Sequence, residues 1–599
     1  MSDDGIPDRM GLDWEISARE YDVVVERDVE IPVDGGDITL VADVFRPDTD
    51  EEVPAIIGAH PYNTEYQTAP IKPKSIGPQM AWIESGDPYY FPRRGYAHVI
   101  LSLRGTGKSD GEFRNLDARE AQDVVDAMEW LSGRAWCTGE FGMFGVSYFA
   151  MIQKKVAELQ PDRLEAVFAP WGISDYYRDW AYHGGILANE FTEEWRFHID
   201  NPRAYSWTED NRADEYDDLV EETISDPEIY AHDDLIDALE DTDDATDPML
   251  VDMLLNDVDN EYWEERRIDH SKCEVPAYLG SGWGIYGLHL PGDMRSWREW
   301  QGPKKMLIGP DIYLDRPVYQ LQPEAVRWFD YWIKGRDNGI MDEPPVEIFV
   351  MNSGGEWKEA EDWPVPDTEF QRFYLHDDEL LFERDHWPNE GSTTYEDGPY
   401  RHESVEFVSP QLVEATEVVG PITLNFYAET TGDDALFIAE LFDVDEDGNE
   451  EELTRGWLRG SMRKVDEERS EPWRVYHPYD EREPLEPGEI YEFNLNLKPT
   501  GNRFDPGHRI GLRLSSADVG GGWGGGDEVA WYQAISTGHV YRQSVDRITV
   551  HHNEDYPSNL LLPVTGGNRI GTYYSGGEAT PRFGELPYNY IEMDKSVEE

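Results

Sequence analysis

Short apolar runs alternate with amphipathic stretches through the first third of the chain. Residues 21–47 alternate in strand fashion around a turn at Asp34-Gly35-Gly36, which predicts an antiparallel pair leading into a larger sheet. Residues 55–60 and 97–103 read as short buried strands. Residues 118–131 carry apolar side chains at 121, 124, 125, 128 and 131, a helix period, and lead into an apolar strand at 141–144. A helical pattern at 151–157 and a strand at 164–170 follow. Alternating strands and helices describe a mostly parallel sheet covered on both faces.

Residues 171–269 break this rhythm. They are rich in Trp, Tyr and acids, with helical patches at 233–240 and 249–255, and predict a helical cap inserted between sheet strands. The sheet resumes at 275–280 and 304–310, and a helix is expected at 323–334. From about 345 the pattern becomes short alternating strands and turns without helices, as at 422–427, 435–442 and 509–514, which predicts an all-β jelly roll. The expected division is therefore 1–170 and 270–344 for the α/β core, 171–269 for the cap and 345–599 for the jelly roll.

The stretch from Gly139 to Ile152 carries the strongest chemistry. An apolar strand runs into Gly145, turns at Ser147 and continues as a helix. Such a turn holds a serine hydroxyl at the end of a sheet, where the free N–H groups of the helix face any anion formed there. Ser147 is the candidate nucleophile. The elbow pattern G-x-S-x-G asks for a second glycine at 149, where this chain has Phe149.

Composition narrows the function classes. Hydrophobic residues at 39% and aromatics at 13% exclude a disordered acidic chain, although 125 acidic residues against 51 basic give a net charge of −74. That field repels nucleic acid and anionic membrane surfaces. The acids are spread along the whole length, and Arg outnumbers Lys, which suits a high-salt cytoplasm; a halophilic source is expected. Two cysteines, Cys137 and Cys273, imply neither a disulfide framework nor a cysteine metal site. The start lacks the features of a signal peptide, and no apolar run is long enough to span a membrane. A soluble, cytoplasmic protein is expected.

The order of signals resembles the family of cocaine esterase, α-amino-acid ester hydrolases and X-prolyl dipeptidyl aminopeptidases, the CocE/NonD-type hydrolases, over nearly the full length. Its marks are Asp43-Val-Phe-Arg-Pro47, His60-Pro-Tyr62, Arg94-Gly-Tyr-Ala97, Arg104-Gly-Thr-Gly-Lys-Ser109, Gly142-Met-Phe-Gly-Val-Ser-Tyr148 and Trp328-Phe-Asp-Tyr-Trp-Ile-Lys-Gly335. Pro487-Gly-Glu, Pro499-Thr-Gly501 and Gly507-His-Arg-Ile510 add to them. The resemblance implies an α/β-hydrolase core, a helical cap and a C-terminal, galactose-binding-like jelly roll bordering the active site. It implies that Ser147 attacks an ester or amide carbonyl of a small ester or short peptide, with no metal or other cofactor. The oxyanion would be held by the Tyr148 N–H and the Tyr62 phenol.

Two positions depart from the family. It usually places the triad acid in Gly-Trp-x-Asp and the base in Gly-Pro-Trp-x-His; here the acid position is Ile285 and the base position is Tyr313. A serine without a base is a poor nucleophile. His289 is the candidate relocated base, with Asp311 or Asp293 orienting it. The alternatives are that His289 bonds within its own loop and that Asp311 is a surface turn acid. His183 is a candidate substrate-lining residue or a structural one. The run Asp443–Gly448 starts like a calcium loop but reads better as a hairpin turn, and the glycine-rich run 520–526 as a jelly-roll loop. The second function reading is a catalytically silent homologue that binds a ligand or carbohydrate. The sequence leaves the oligomeric state open, a homo-oligomer included.

Overall fold

β3 (Val53–His60) is buried at every position, as a strand covered on both faces must be, which is why its sequence is almost wholly apolar. The computed structural model describes residues 15–63, 84–199, 202–240, 247–310, 317–352, 354–366, 368–386, 390–399, 401–518 and 538–565. Its first sheet contains β1 (Val23–Val33), β2 (Ile38–Pro47), β3, β4 (Ala97–Ser102), β5 (Cys137–Phe144) and β6 (Leu164–Phe168). After a cap hairpin of β7 (Tyr182–His183) and β8 (Ile186–Leu187), the sheet is completed by β9 (Ala277–Gly282), β10 (Lys304–Gly309), β11 (Val346–Val350) and β12 (Glu356–Ala360). The spatial order is β1-β2-β4-β3-β5-β6-β9-β10-β11-β12. Strands β4 to β11 of that order pair in parallel, and β1, β2 and β12 run antiparallel at the two edges.

The chain leaves β3 for β4 on one side and returns to β5 on the other. The carboxyl ends of β3 and β5 therefore flank a topological switch point, where open α/β sheets bind their ligands. The helix Ala118–Ser132 enters β5 and is capped by Asp117, whose carboxylate accepts from the Arg119 and Glu120 N–H groups. Between β6 and β9 the chain forms the expected cap, including helices Asn189–Trp195, Tyr216–Ser225, Asp233–Glu240, Asp247–Leu255 and Glu261–Arg266.

The region after 345 makes two pairings that the sequence did not predict. Val346–Val350 pairs in parallel with β10, and β12 pairs with it in turn, so residues 346–360 extend the first sheet. The all-β strands then run as β13 (Glu369–His376), β14 (Leu380–Phe382), β15 (Ser392–Gly398), β16 (Arg401–His402), β17 (Ser404–Val408) and β18 (Thr416–Thr430). β19 (Leu436–Val444), β20 (Glu450–Arg459), β21 (Tyr491–Phe504), β22 (Arg509–Ser515), β23 (Asp546–His551) and β24 (Asn559–Val564) complete them. β24 pairs with both β13 and β18, so the expected all-β domain closes into a barrel. The turn at 445–449 joins β19 and β20 as a hairpin. The glycine-rich run 520–526 lies outside the described residues.

Cap and barrel are tied by charge and by close backbone approach. Gly184 sits at φ +59°, and a Cβ there would lie 1.9 Å from the Trp457 carbonyl oxygen, so only glycine lets the β7–β8 hairpin seat on β20. Arg178 in the cap bonds the carbonyls of His477 and Pro478, each at 2.9 Å, while Asp175 and Asp259 neutralise it. Among the described residues no helix is long and apolar enough to cross a membrane.

Burial also makes the fold acid-sensitive. His60, His98 and His289 are each pushed from 6.5 to about 3, chiefly by desolvation. Below pH 6.5 the unfolded chain takes up protons that the folded chain refuses, so stability is lost as pH falls from 6.5 toward 3. Each histidine contributes up to about 1.4 kcal/mol per pH unit. In denaturant unfolding across that window, His98→Gln is expected to lose stability less steeply than wild type by about one proton. An unchanged slope would show that His98 is not among the groups responsible.

Candidate active site

At the end of β5 the chain reverses through Gly145, Val146 and Ser147 into the helix Tyr148–Glu158. Ser147 has φ 58° and ψ −129°, a conformation that costs a residue with a Cβ about 1–3 kcal/mol and persists only where its surroundings impose it. They do so here: the Ser147 N–H bonds the Trp171 carbonyl at 2.8 Å and the Val146 N–H bonds the Glu84 carbonyl at 3.0 Å. Phe149, in place of the expected glycine, fits because glycines lie opposite it. A Cβ on Gly58 of β3 would come within 3.1 Å of the Phe149 ring, and one on Gly145 within 2.5 Å of its Cβ.

Tyr62 reaches Ser147 from the end of β3. Its phenol oxygen is 3.2 Å from Ser147 Oγ, and the Tyr148 N–H points at the same phenol oxygen over 3.4 Å. The two groups expected to hold an oxyanion thus converge beside the serine hydroxyl. Each is fixed by a buried neighbour that sequence reading did not single out for a role. His60 Nδ1 accepts from the Tyr62 N–H at 3.1 Å, and its ring stacks on Phe149 with centroids 4.9 Å apart. Glu120 accepts from the Tyr148 phenol at 2.8 Å and from the Arg114 and Leu116 N–H groups. Burial and the nearby Asp117 push the Glu120 carboxyl up to about 7 against those bonds. In the sequence, Glu120 reads only as an acid in a helix first turn.

The candidate base makes no hydrogen bond to the nucleophile. Among the described residues, Tyr62 is the hydrogen-bond partner of Ser147 Oγ, and His289 makes no hydrogen bond to it. His289 is fully buried at the start of the helix Leu290–Glu299. Desolvation first and the Lys154 ammonium second pull it down to about 3, which keeps the ring neutral but makes it a weak proton acceptor. Asp293, the alternative orienting acid, is engaged elsewhere: it pairs with buried Lys154 at 2.7 Å and accepts from the Gly172 N–H at 3.2 Å. Asp311 and Tyr313 lie outside the described residues.

His183 occupies the seam between cap and barrel. Its Nδ1 lies 2.9 Å from His539 Nε2, and His539 Nδ1 lies 2.9 Å from Asp518. Both rings pack on Trp457, at 4.9 and 5.2 Å. Sequence reading missed His539 and Asp518, which are far from His183 along the chain and meet it only through the barrel's docking.

A strained serine at a sheet switch point, with two donors beside it, defines an α/β-hydrolase of the acyl-transfer kind. The family model of the X-Pro dipeptidyl-peptidase (S15 family) matches residues 34–312, and that of the X-Pro dipeptidyl-peptidase C-terminal non-catalytic domain matches 338–561. The chain belongs to this S15 and CocE/NonD family, whose members are serine esterases and dipeptidyl-peptidases. It is 26% identical over 609 residues to the cocaine esterase of a Rhodococcus species, covering 90% of this chain and 98% of the relative. A CocE/NonD family hydrolase from Staphylococcus aureus shares the fold with a TM-score of 0.73 at 23% identity, over 90% of this chain and 94% of that one. An α-amino acid ester hydrolase shares it with a TM-score of 0.69 at 16% identity, over 94% and 100%.

Proposed function

We propose that this chain cleaves a small ester or an N-terminal X-Pro dipeptide amide through an acyl-Ser147 intermediate. The observation that carries the reading is the Ser147 backbone, held strained with the Tyr62 phenol and the Tyr148 N–H converging beside its hydroxyl. Ser147 Oγ would add to the substrate carbonyl, and the two donors would stabilise the alkoxide formed there. The acyl group would pass to Ser147 as the alcohol or amine leaves, and water would then release it. Substrate would come in along the cap–barrel seam where His183 stands. In this sequence the stretch after β10 reads Asp311-Ile-Tyr-Leu-Asp-Arg and offers no imidazole, so His289 is taken as the base, after rearrangement of its loop, with Asp311 orienting it. The acidic composition and the two buried, unpaired cysteines support a halophilic, cytoplasmic setting.

The test is labelling by a fluorophosphonate probe in molar KCl, with turnover of nitrophenyl esters and X-Pro anilides in parallel. Wild type is expected to label and Ser147→Ala not to. Tyr62→Phe keeps the nucleophile but is expected to label and turn over about 10²–10³ times more slowly, the usual effect of removing one oxyanion donor. Loss of labelling in His289→Ala would select His289 as base, and its retention would keep the hydrolase and remove His289 from that role. Folded wild type that stays unlabelled at every pH would sink the hydrolase reading in favour of a silent, ligand-binding homologue. A melting temperature that does not rise with KCl would remove the halophilic inference.

A further inference from the structure

At one end of the barrel, three side chains from separate connections meet in a buried cluster. His376 ends β13, His386 follows β14, and Glu390 precedes β15. A donor atom from each lies within 4.8 Å of the other two. His376 is fully buried and His386 nearly so, and the Glu390 side chain is 4% exposed.

The hydrogen bonds fix what each ring presents. His376 Nε2 lies 3.0 Å from the Arg384 carbonyl, and His386 Nε2 lies 2.7 Å from the Leu375 carbonyl. A carbonyl oxygen only accepts, so both Nε2 atoms carry a proton, and a ring holding only that proton has its lone pair on Nδ1. For His376 that lone pair faces the Glu390 carboxylate at 2.7 Å. Two acceptors so close require a cation between them, either a proton or a metal ion. A proton would satisfy the His376–Glu390 pair alone. It would not account for the second imidazole of the cluster, whose Nε2 is held by the same kind of carbonyl bond and whose ring centre lies 5.0 Å from that of His376. Ring N–H groups anchored on backbone carbonyls are the usual outer support of metal-bound histidines.

We propose that His376, His386 and Glu390 hold one divalent transition-metal ion, zinc by the chemistry of two imidazole nitrogens and one carboxylate oxygen. Bonds of about 2.0–2.2 Å to such donors need only a small adjustment of the cluster, and water would complete the tetrahedron. The role is structural. β13 pairs with β14 and β24, and β15 with β16 and β23, so no strand ladder joins β13 to β15 among the described residues. The ion would staple the β13–β14 hairpin to the start of β15.

The test uses the full chain in molar KCl, stripped with a chelator, reloaded with zinc or cobalt and dialysed against metal-free buffer. Wild type is expected to keep one zinc per chain, to show visible cobalt bands of an imidazole-ligated ion, and to melt lower after chelation. Glu390→Gln, which keeps the side chain's shape, and His386→Gln should each weaken zinc binding about 100-fold or more and melt alike with and without chelator. Asp447→Asn, in an exposed acidic turn, should behave as wild type. Retention of no zinc by wild type would overturn the proposal and leave a proton between His376 and Glu390. Zinc held equally by wild type and Glu390→Gln would also overturn it, marking binding to surface carboxylates. Should His386→Gln fail to fold, Glu390→Gln alone still decides.

Discussion

Ser147→Gly is expected to abolish hydrolysis while making the protein more stable. Removing the nucleophile of a serine hydrolase costs about 10⁴–10⁶ in kcat. The stability change has the opposite sign because Ser147 holds φ 58° and ψ −129°. Glycine adopts that backbone without strain and relieves about 1–3 kcal/mol, against a loss of about 0.5–1 kcal/mol from its greater freedom in the unfolded chain. The net gain is about 0–2.5 kcal/mol, read as a higher denaturation midpoint at unchanged slope. Ser147→Ala should lose the same activity with no such gain, since its Cβ keeps the strain. Equal stability of the Gly and Ala variants would show that the elbow is not strained, and surviving activity would remove Ser147 as nucleophile.

That strain was half legible in the sequence. A serine between an apolar strand and a helix announces the elbow, because strand, turn and helix are local patterns. What permits Phe149 in place of glycine was not legible: Gly58 lies in another strand and comes opposite Phe149 only through β3–β5 pairing. The same limit hid the partner of the strand at 346–350. Residues 346–350 were recognisable as a strand from their alternation, but their choice of β10 as partner is a long-range fact that periodicity does not carry. Closure of the barrel by β24 is another such pairing. For the site, Tyr62 was readable from its place after a strand end, since a sheet's carboxyl edge is where ligands bind. Glu120, His539 and the His376–His386–Glu390 cluster were not, because each acquires its partners across a fold contact. His289 lies close in sequence to the missing acid, and what the sequence did not show is its burial at a helix start beside the Lys154 charge.

Lys154→Met is expected to destabilise the fold by about 3–5 kcal/mol, and the companion change Asp293→Leu to recover only part of it. The two side chains are fully buried and paired at 2.7 Å, so removing the lysine strands a carboxylate away from water. Replacing both members of such a pair by apolar groups is often neutral or stabilising, but this pair does more than neutralise itself. Lys154 Nζ bonds the Gly172 carbonyl at 2.6 Å and Asp293 accepts from the Gly172 N–H at 3.2 Å. The double variant orphans both backbone groups, at about 1–3 kcal/mol for each buried group left unpaired. It should therefore stay below wild type in a double-mutant cycle. Gly172 follows Trp171, whose carbonyl holds the Ser147 N–H, so the loss should also reach the elbow and lower kcat while KM changes little. A double variant as stable and as active as wild type would mean that Gly172 needs neither partner and that the pair merely cancels its own burial. A stable but slow one would make it a clamp that sets the nucleophile's position.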